Sequence, residues 1–175
     1  KRPFRELKEM NETLIKNWNE TVSKNDIVII VGDFAAGNYL FCKWLLHKLN
    51  GEKILIKGNH VFKFRLKKLH KTKKIKVYNK INLKLEEKEI IFTHKPIKKI
   101  RENCVLNIHG HHHKKVLPKN LPKKHYYNVA VEHNNYTQKS LKEILLEKDF
   151  SIKTFDINNI LEQIFYKNKK ILLLI

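Results

Sequence analysis

The chain has 175 residues, which is long enough for one domain with a sizeable core, so we predict a single domain over residues 1–175. Hydrophobic residues make up 42% of it, which excludes an intrinsically disordered chain. The longest aliphatic runs, residues 27–31 and 171–175, are far shorter than the roughly 20 residues of a membrane helix. With no signal-peptide pattern at residue 1, we expect a cytoplasmic globular protein with no membrane partner.

The net charge is +20, because 37 Lys and Arg outweigh 17 Asp and Glu. One explanation is a surface that faces a polyanion, such as a nucleic acid or a phosphorylated substrate. The other is a bias toward Lys, Asn and Ile over every surface. Nearly all of the cationic residues are lysines, and lysines occur in every segment of the chain. Sites that read bases or bind phosphate with two hydrogen bonds favour Arg instead. The spread of lysines favours a compositional bias and leaves a surface for a polyanion open.

The two cysteines, Cys42 and Cys104, lie far apart and in no spacing typical of a metal or redox site. We predict that both are reduced packing residues, as in a cytosolic protein.

The first part of the chain alternates helices with strands. Apolar residues spaced three and four apart predict an amphipathic helix, and a run that is aliphatic on both faces predicts a buried strand. The predicted elements are, in order, a helix over 6–22, a strand over 27–31, a helix over 39–49, a strand over 54–56 and a basic helical turn over 62–69.

In the second part strand follows strand. The predicted strands cover residues 75–78, 81–85, 90–92, 105–108 and 127–131, with hairpin turns at 79–80 and 86–88. Ser140 and Glu143 form a capping box that opens a helix to about residue 148. A strand over 151–155, a helix over 158–166 and a tail that is either an edge strand or a poorly ordered end follow. The whole pattern predicts a layered α/β domain with a mixed sheet flanked by helices.

Four short polar motifs each close one of the predicted strands. They contain Asp33, then Asn59 and His60, then His94, and finally the run Ile-His-Gly-His-His-His at 108–113. Open α/β sheets bind ligands at the carboxyl ends of their strands. Oxygen and imidazole ligands delivered there from separate parts of the chain are what a dinuclear metal site requires.

Each motif has a structural alternative when it is taken alone. Asp33 could cap a helix, Gly58-Asn59 is a good turn pair, and a lone histidine such as His94 is most often structural. The histidine run could be a solvated turn or an adventitious metal binder. The recurrence of such motifs at four strand ends favours the metal site.

The histidine run is the strongest of the four signals. Side chains alternate in an extended segment, so His111 and His113 are expected on one side and His112 on the other. His109 shares their parity, but Gly110 can break the extension, so the role of His109 stays open.

The blocks Gly32-Asp33, Gly58-Asn59-His60, His94 and Gly110-His111-His112-His113, in this order, resemble the calcineurin-like metallophosphoesterase superfamily. The resemblance covers about residues 2–147, in a small bacterial and phage-type branch, and leaves 148–175 as a C-terminal extension. Further matching residues are Arg2-Pro3-Phe4, Met10-Asn11-Glu12, Trp18-Asn19, Phe34, Asn128-Val129 and Ser140-Leu141. The resemblance implies a metallophosphoesterase-like α/β sandwich that hydrolyses phosphomono- or diesters.

The resemblance also implies roles for the motif residues. Two divalent ions, of Mn, Fe, Zn or Co, would be bridged by Asp33, with His113 serving the second ion. His60 would lie near the scissile phosphate and stabilise charge or protonate the leaving oxygen. Two such ions roughly 3.5–4 Å apart can hold a hydroxide nucleophile and clamp the phosphoryl oxygens. The implied metal ligands are Asp33, Asn59, His94, His111 and His113.

One departure from the family concerns its Asp-x-His block, which ends the first strand and supplies two ligands to the metal of His113. No Asp-x-His occurs in this sequence, and no strand is predicted before the first helix. We therefore expect a sheet that lacks its first strand, an incomplete second metal site and weak activity of this polypeptide alone. A smaller departure is Val61, where many members carry an acidic residue.

Two other functions compete with phosphoester hydrolysis. One is a catalytically inactive relative that keeps the fold as an interaction domain. The other is a basic nucleic-acid-binding module with incidental histidines. For an enzyme, the expected partner is a phosphoester substrate, with nucleotides and nucleic acids among the candidates.

Overall fold

The computed structural model describes residues 3–59, 68, 71–72, 74–85, 87–113, 117–150 and 171–174. Its elements are α1 (Leu7–Thr21), β1 (Ile27–Gly32), α2 (Tyr39–Lys48), β2 (Glu52–Lys57), β3 (Ile75–Tyr78), β4 (Ile81–Leu85), β5 (Lys88–Thr93), β6 (Cys104–His109), β7 (Tyr126–Asn128), β8 (Lys139–Ser140), α3 (Leu141–Glu147) and β9 (Ile171–Leu174). Short 3₁₀ turns cover Lys123–His125 and Val131–His133. Across these ranges, no helix has the length and apolar character needed to cross a membrane.

The strands form two mixed sheets. The first has the order β3-β2-β1-β9-β8, in which only the β8–β9 pair is antiparallel. The second has the order β4-β5-β6-β7, in which only the β4–β5 pair is antiparallel. The predicted layered α/β fold with a mixed sheet is confirmed, with the strands divided between two sheets.

Strand β1 holds the layers together, since all six of its residues are buried. Successive side chains of a strand point to opposite faces. The face that carries Ile29 packs into a core shared with the second sheet, where Phe92 of β5 is fully buried. The face that carries Ile30 packs under α1 and α2, against Trp18 and Leu46. Burial on both faces explains why the sequence of β1 is an uninterrupted aliphatic run.

The predicted hairpin at residues 79–80 is wrong. Strand β3 pairs with β2 in the first sheet, whereas β4 pairs with β5 in the second, so residues 79–80 carry the chain between sheets. Two short strands separated by a polar pair give the same local signal in both cases. The antiparallel β4–β5 pair confirms the second predicted hairpin.

Strand β9 lies inside the first sheet, between β1 and β8, so the tail is not an edge strand. It is parallel to β1 and pairs Ile27 with Ile171. Where we expected a sheet short of a strand, β1 has neighbours on both sides. Strand β7 is also shorter than predicted, because residues 131–133 form a 3₁₀ turn.

Other predictions have mixed outcomes. The predicted capping box is confirmed, since Ser140 accepts from the Glu143 amide and the Glu143 carboxylate accepts from the Ser140 amide. Both cysteines are buried, as packing residues would be. The elements predicted over 62–69 (except Lys68), 151–155 and 158–166 lie outside the described residues.

Replacement of Phe92 by Ala tests the core between the sheets. We expect Phe92→Ala to lower the free energy of unfolding by about 3–5 kcal/mol, because a fully buried ring is lost and a cavity is left. Urea denaturation measures this change. Leu146→Ala is the control, since Leu146 is 52% exposed and should cost less than about 0.5 kcal/mol. Equal costs for the two variants would contradict the assignment of Phe92 to the core.

Candidate metal centre

Polar side chains that follow four strands meet at one end of the two sheets. Asp33 follows β1, Asn59 follows β2, His94 follows β5 and His111 follows β6. The Nε2 atom of His94 lies 2.7 Å from Asn59 Oδ1, 3.1 Å from His111 Nδ1 and 3.7 Å from Asp33 Oδ2. The structure therefore brings together four of the five residues predicted as metal ligands.

Two glycines allow this close approach. Gly32 has φ 135°, a backbone conformation that residues with a side chain rarely adopt, and a Cβ there would lie 2.0 Å from His94 Nδ1. A Cβ on Gly58 would lie 1.9 Å from Asp33 Oδ1 and 2.7 Å from the Asp33 backbone nitrogen. Gly32 and Gly58 thus each leave room for a predicted ligand.

The buried ring of His94 has an acceptor oxygen at each of its two nitrogens. Its Nδ1 lies 3.3 Å from the Val31 carbonyl oxygen and its Nε2 lies 2.7 Å from Asn59 Oδ1, so a neutral ring, which carries one proton, can donate to only one of them. The pKa of His94 is lowered, mainly because the ring is buried. The Val31 carbonyl and Asp33 act to raise it, and the charge of Lys95 acts to lower it further. A neutral imidazole with a free lone pair is the form that binds a cation.

When the proton is on Nδ1, toward Val31, the lone pair of His94 Nε2 faces Asn59 Oδ1 at 2.7 Å. Two lone pairs this close repel each other, and a shared cation removes that repulsion. Ligand atoms about 2.0–2.2 Å from one ion lie about 3.0–3.5 Å from each other. The distances from His94 Nε2 to its three neighbours, 2.7–3.7 Å, span that range. The donor set and its spacing therefore fit a divalent cation.

Within the described part of the chain, no three His, Cys, Asp or Glu side chains already surround a common ion position. Instead, Asn59 Oδ1 and His111 Nδ1 each lie within hydrogen-bond distance of His94 Nε2. Cation binding therefore requires these side chains to turn from one another toward the ion.

The segment after β6 is not extended, because His111 has φ 64°. The alternation from which His111 and His113 were predicted to share a side therefore does not apply. His111 still reaches His94, with ring centroids 4.8 Å apart, and burial followed by the charge of His94 lowers its pKa. His113 contacts a different residue: its Nδ1 lies 2.9 Å from Glu132 Oε2.

His109 is a core residue. It is 2% exposed, and its Nδ1 lies 3.1 Å from the Gly110 carbonyl oxygen. Burial, the largest cause, lowers the pKa of His109 to about 4. His112 has its ring 5.5 Å from that of His111, and its carbonyl accepts from the Asn128 side chain at 2.8 Å.

Two contacts near the site escaped the sequence analysis. Asn107 is fully buried, and its amide donates to the Ile91 carbonyl and the Thr93 hydroxyl and accepts from the Ile97 backbone N–H. It thereby fixes the loop that carries His94. The contact of Glu132 with His113 was also missed, although Glu132 closely follows the matching pair Asn128-Val129. His60 and Val61 lie outside the described residues.

A family model described as calcineurin-like phosphoesterase matches residues 2–167, which is most of the chain. This protein belongs to the calcineurin-like phosphoesterase family. The match confirms the resemblance on which the ligand roles were predicted. At the level of the family it supports a metal-dependent phosphoesterase.

Two known proteins are similar to this chain in sequence or in fold. An uncharacterized protein of Methanocaldococcus jannaschii, MJ1445, is 36% identical over 167 residues, which cover 89% of this chain and 85% of that protein. The crystal structure of AQ665 from Aquifex aeolicus, a protein of unknown function, matches with a TM-score of 0.60 and 24% identity over 81% of this chain and 87% of that one. The second likeness supports the α/β fold.

Gly58→Ala tests the packing of Asp33 at the site. We expect the new methyl group to displace Asp33 and to lower the affinity for Mn²⁺ by about 10–100-fold, as for other residues that position metal ligands. Calorimetric titration of Mn²⁺ into metal-free protein measures the affinity. His47→Ala is the control, since His47 is exposed on α2. Unchanged affinity in a folded Gly58→Ala variant would contradict the assignment.

The buried His109 predicts a pH dependence of stability. The unfolded chain takes up this proton below about pH 6.5, but the folded protein does so only near pH 4. Falling pH therefore favours the unfolded state, by about 3 kcal/mol between pH 7 and pH 4. Urea denaturation of metal-free protein should show this loss, and His109→Asn should reduce it. An equal pH dependence in the variant would refute the attribution to His109.

Proposed function

We propose that this protein hydrolyses phosphomono- or diesters with the aid of two divalent metal ions. The observation that supports the proposal best is the pair of facing acceptors, His94 Nε2 and Asn59 Oδ1, with Asp33 and His111 beside them. The family supports metal dependence and phosphoester hydrolysis in general, and the specific residues belong to the proposal.

The ligands divide between two ions. Asp33 would bridge both ions, and His113 would serve the second ion. Ions bound here would activate water for attack and neutralise charge on the phosphoryl oxygens. Mixed nitrogen and oxygen ligands suit Mn, Fe, Zn or Co. The ligands proposed for the first ion, besides Asp33, are Asn59, His94 and His111.

Other groups of the chain would act on the ligands and the substrate. The Val31 carbonyl, 3.3 Å from Nδ1 of His94, would accept the proton of that nitrogen and so keep Nε2 available. Lys95 is exposed next to His94, and its charge lowers the pKa of both His94 and His111. That charge would attract an anionic phosphoester. His60, placed by sequence alone, would stabilise charge or protonate the leaving oxygen.

A second candidate function is nucleic-acid binding. The net charge of +20 favours it, since lysines attract a phosphate backbone whatever its sequence. The two functions are compatible if the phosphoester substrate is itself a nucleotide or a nucleic acid.

Asp33→Asn and His111→Ala distinguish the two functions. We expect each to lower the metal-dependent hydrolysis of an aryl phosphodiester by at least about 100-fold, because each removes a ligand needed for transition-state charge stabilisation. The salt-sensitive binding of DNA should barely change. A spectrophotometric assay of phenolate release and a DNA titration at two salt concentrations measure the two effects.

Matched controls are Asp149→Asn and His47→Ala. Asp149 is exposed with φ 56°, a conformation that Asn also adopts readily, and His47 is exposed on α2. Both controls should hydrolyse the substrate like the original chain. Hydrolysis that survives in Asp33→Asn at the original rate would contradict the proposed reaction, whereas salt-sensitive DNA binding without metal-dependent hydrolysis in the original chain would favour the second function.

A further inference from the structure

Glu132 contacts His113, a proposed metal ligand, but the proposed function gives Glu132 itself no role. Its Oε2 atom lies 2.9 Å from Nδ1 of His113. The Glu132 side chain is only 12% exposed, whereas that of His113 is 41% exposed. The carboxylate is therefore the more buried partner of this pair.

This contact defines which nitrogen of His113 is available to a ligand. An ionised carboxylate only accepts, so Nδ1 of a neutral His113 carries the proton and Nε2 has the lone pair. His94 has the same arrangement, with the Val31 carbonyl in the place of the carboxylate. Histidines that bind metals commonly donate their other N–H to a carboxylate or a carbonyl. In both histidines an acceptor at Nδ1 thus favours the tautomer that suits a metal ligand.

The turn that carries Glu132, and the residues just before it, are hydrogen-bonded to the histidine run at 111–113. Glu132 lies in the 3₁₀ turn Val131–His133. The His112 carbonyl is 2.8 Å from Asn128 Nδ2 and 3.1 Å from His133 Nε2. Asn128 Oδ1 also accepts from the Ala130 backbone N–H. Contacts on both sides of Glu132 therefore hold its carboxylate at a fixed place relative to the residue next to His113.

We propose that Glu132 is a positioning residue that fixes the ring and tautomer of His113, so that Nε2 faces the second metal ion. This inference rests on the proposed function, because it takes His113 as a ligand. Glu132 itself would not bind the ion. It would bias the ring before the ion arrives and so raise the affinity of the second ion.

Glu132→Ala and Glu132→Gln test the proposal in two measurements. Two-bond ¹H–¹⁵N spectra of the histidine rings in metal-free protein should show the proton of His113 on Nδ1, and Glu132→Ala should lose that preference. Calorimetric titration with Mn²⁺ should show the second ion bound about 10–100-fold more weakly in Glu132→Ala, with the first ion unaffected. Glu132→Gln retains an acceptor oxygen and should lose less than Glu132→Ala.

Two further variants serve as references for these measurements. His113→Ala removes the ligand and should weaken the second ion at least as much as Glu132→Ala. Glu147→Ala is the control. The Glu147 carboxylate, on α3, contacts Tyr127 and Lys139, so its removal should not alter Mn²⁺ binding.

The outcomes separate this inference from the proposed function. Loss of the second ion in His113→Ala but not in Glu132→Ala would overturn the positioning role alone. A proton on Nε2 of His113 in the original chain would do the same. If the original chain binds no Mn²⁺ at all, the proposed function fails together with this inference.

Discussion

The close approach of the β1 strand end to the His94 ring is the constraint on which the rest of the site depends. Gly32 has no Cβ, so the backbone of the first sheet can lie directly against a ring carried by the second sheet. The same approach brings the Val31 carbonyl to within 3.3 Å of Nδ1 of that ring. The burial of Ile29 and Phe92 between the sheets holds the two strand ends together. A hydrophobic interface thus sets the geometry of a polar centre.

The polar centre shows why its residues need this support. Each neutral imidazole carries one N–H and one lone pair, and Asp33 and Asn59 add acceptor oxygens, so acceptors outnumber ring protons at the centre until a cation is bound. Burial lowers the pKa of His94 and so disfavours the proton that would otherwise reduce this excess. The core that packs the strands therefore offsets an arrangement that is unfavourable in the metal-free protein and favourable for cation binding.

The strands and their polar ends could be predicted from the sequence, because a strand buried on both faces is an unbroken aliphatic run and the chain must turn where it ends. Which strands pair with each other could not be predicted, since residues 79–80 give the same local signal whether the chain forms a hairpin or crosses to another sheet. The positive φ of His111 has no sequence signal, as it occurs at a residue that rarely adopts it. The contact between His113 and Glu132 joins residues 19 positions apart through tertiary structure alone. His60 remains a prediction.

The pairing of β9 with β1 has a consequence for the order in which the molecule forms. Ile27 and Ile171 are direct neighbours in the sheet although nearly the whole chain separates them. During synthesis, β1 can acquire β2 early, but its other edge stays open until residues 171–174 have left the ribosome. Contacts between distant residues slow folding, and an open aliphatic edge invites pairing with other chains. The nascent protein therefore passes through a period in which its most apolar strand needs protection.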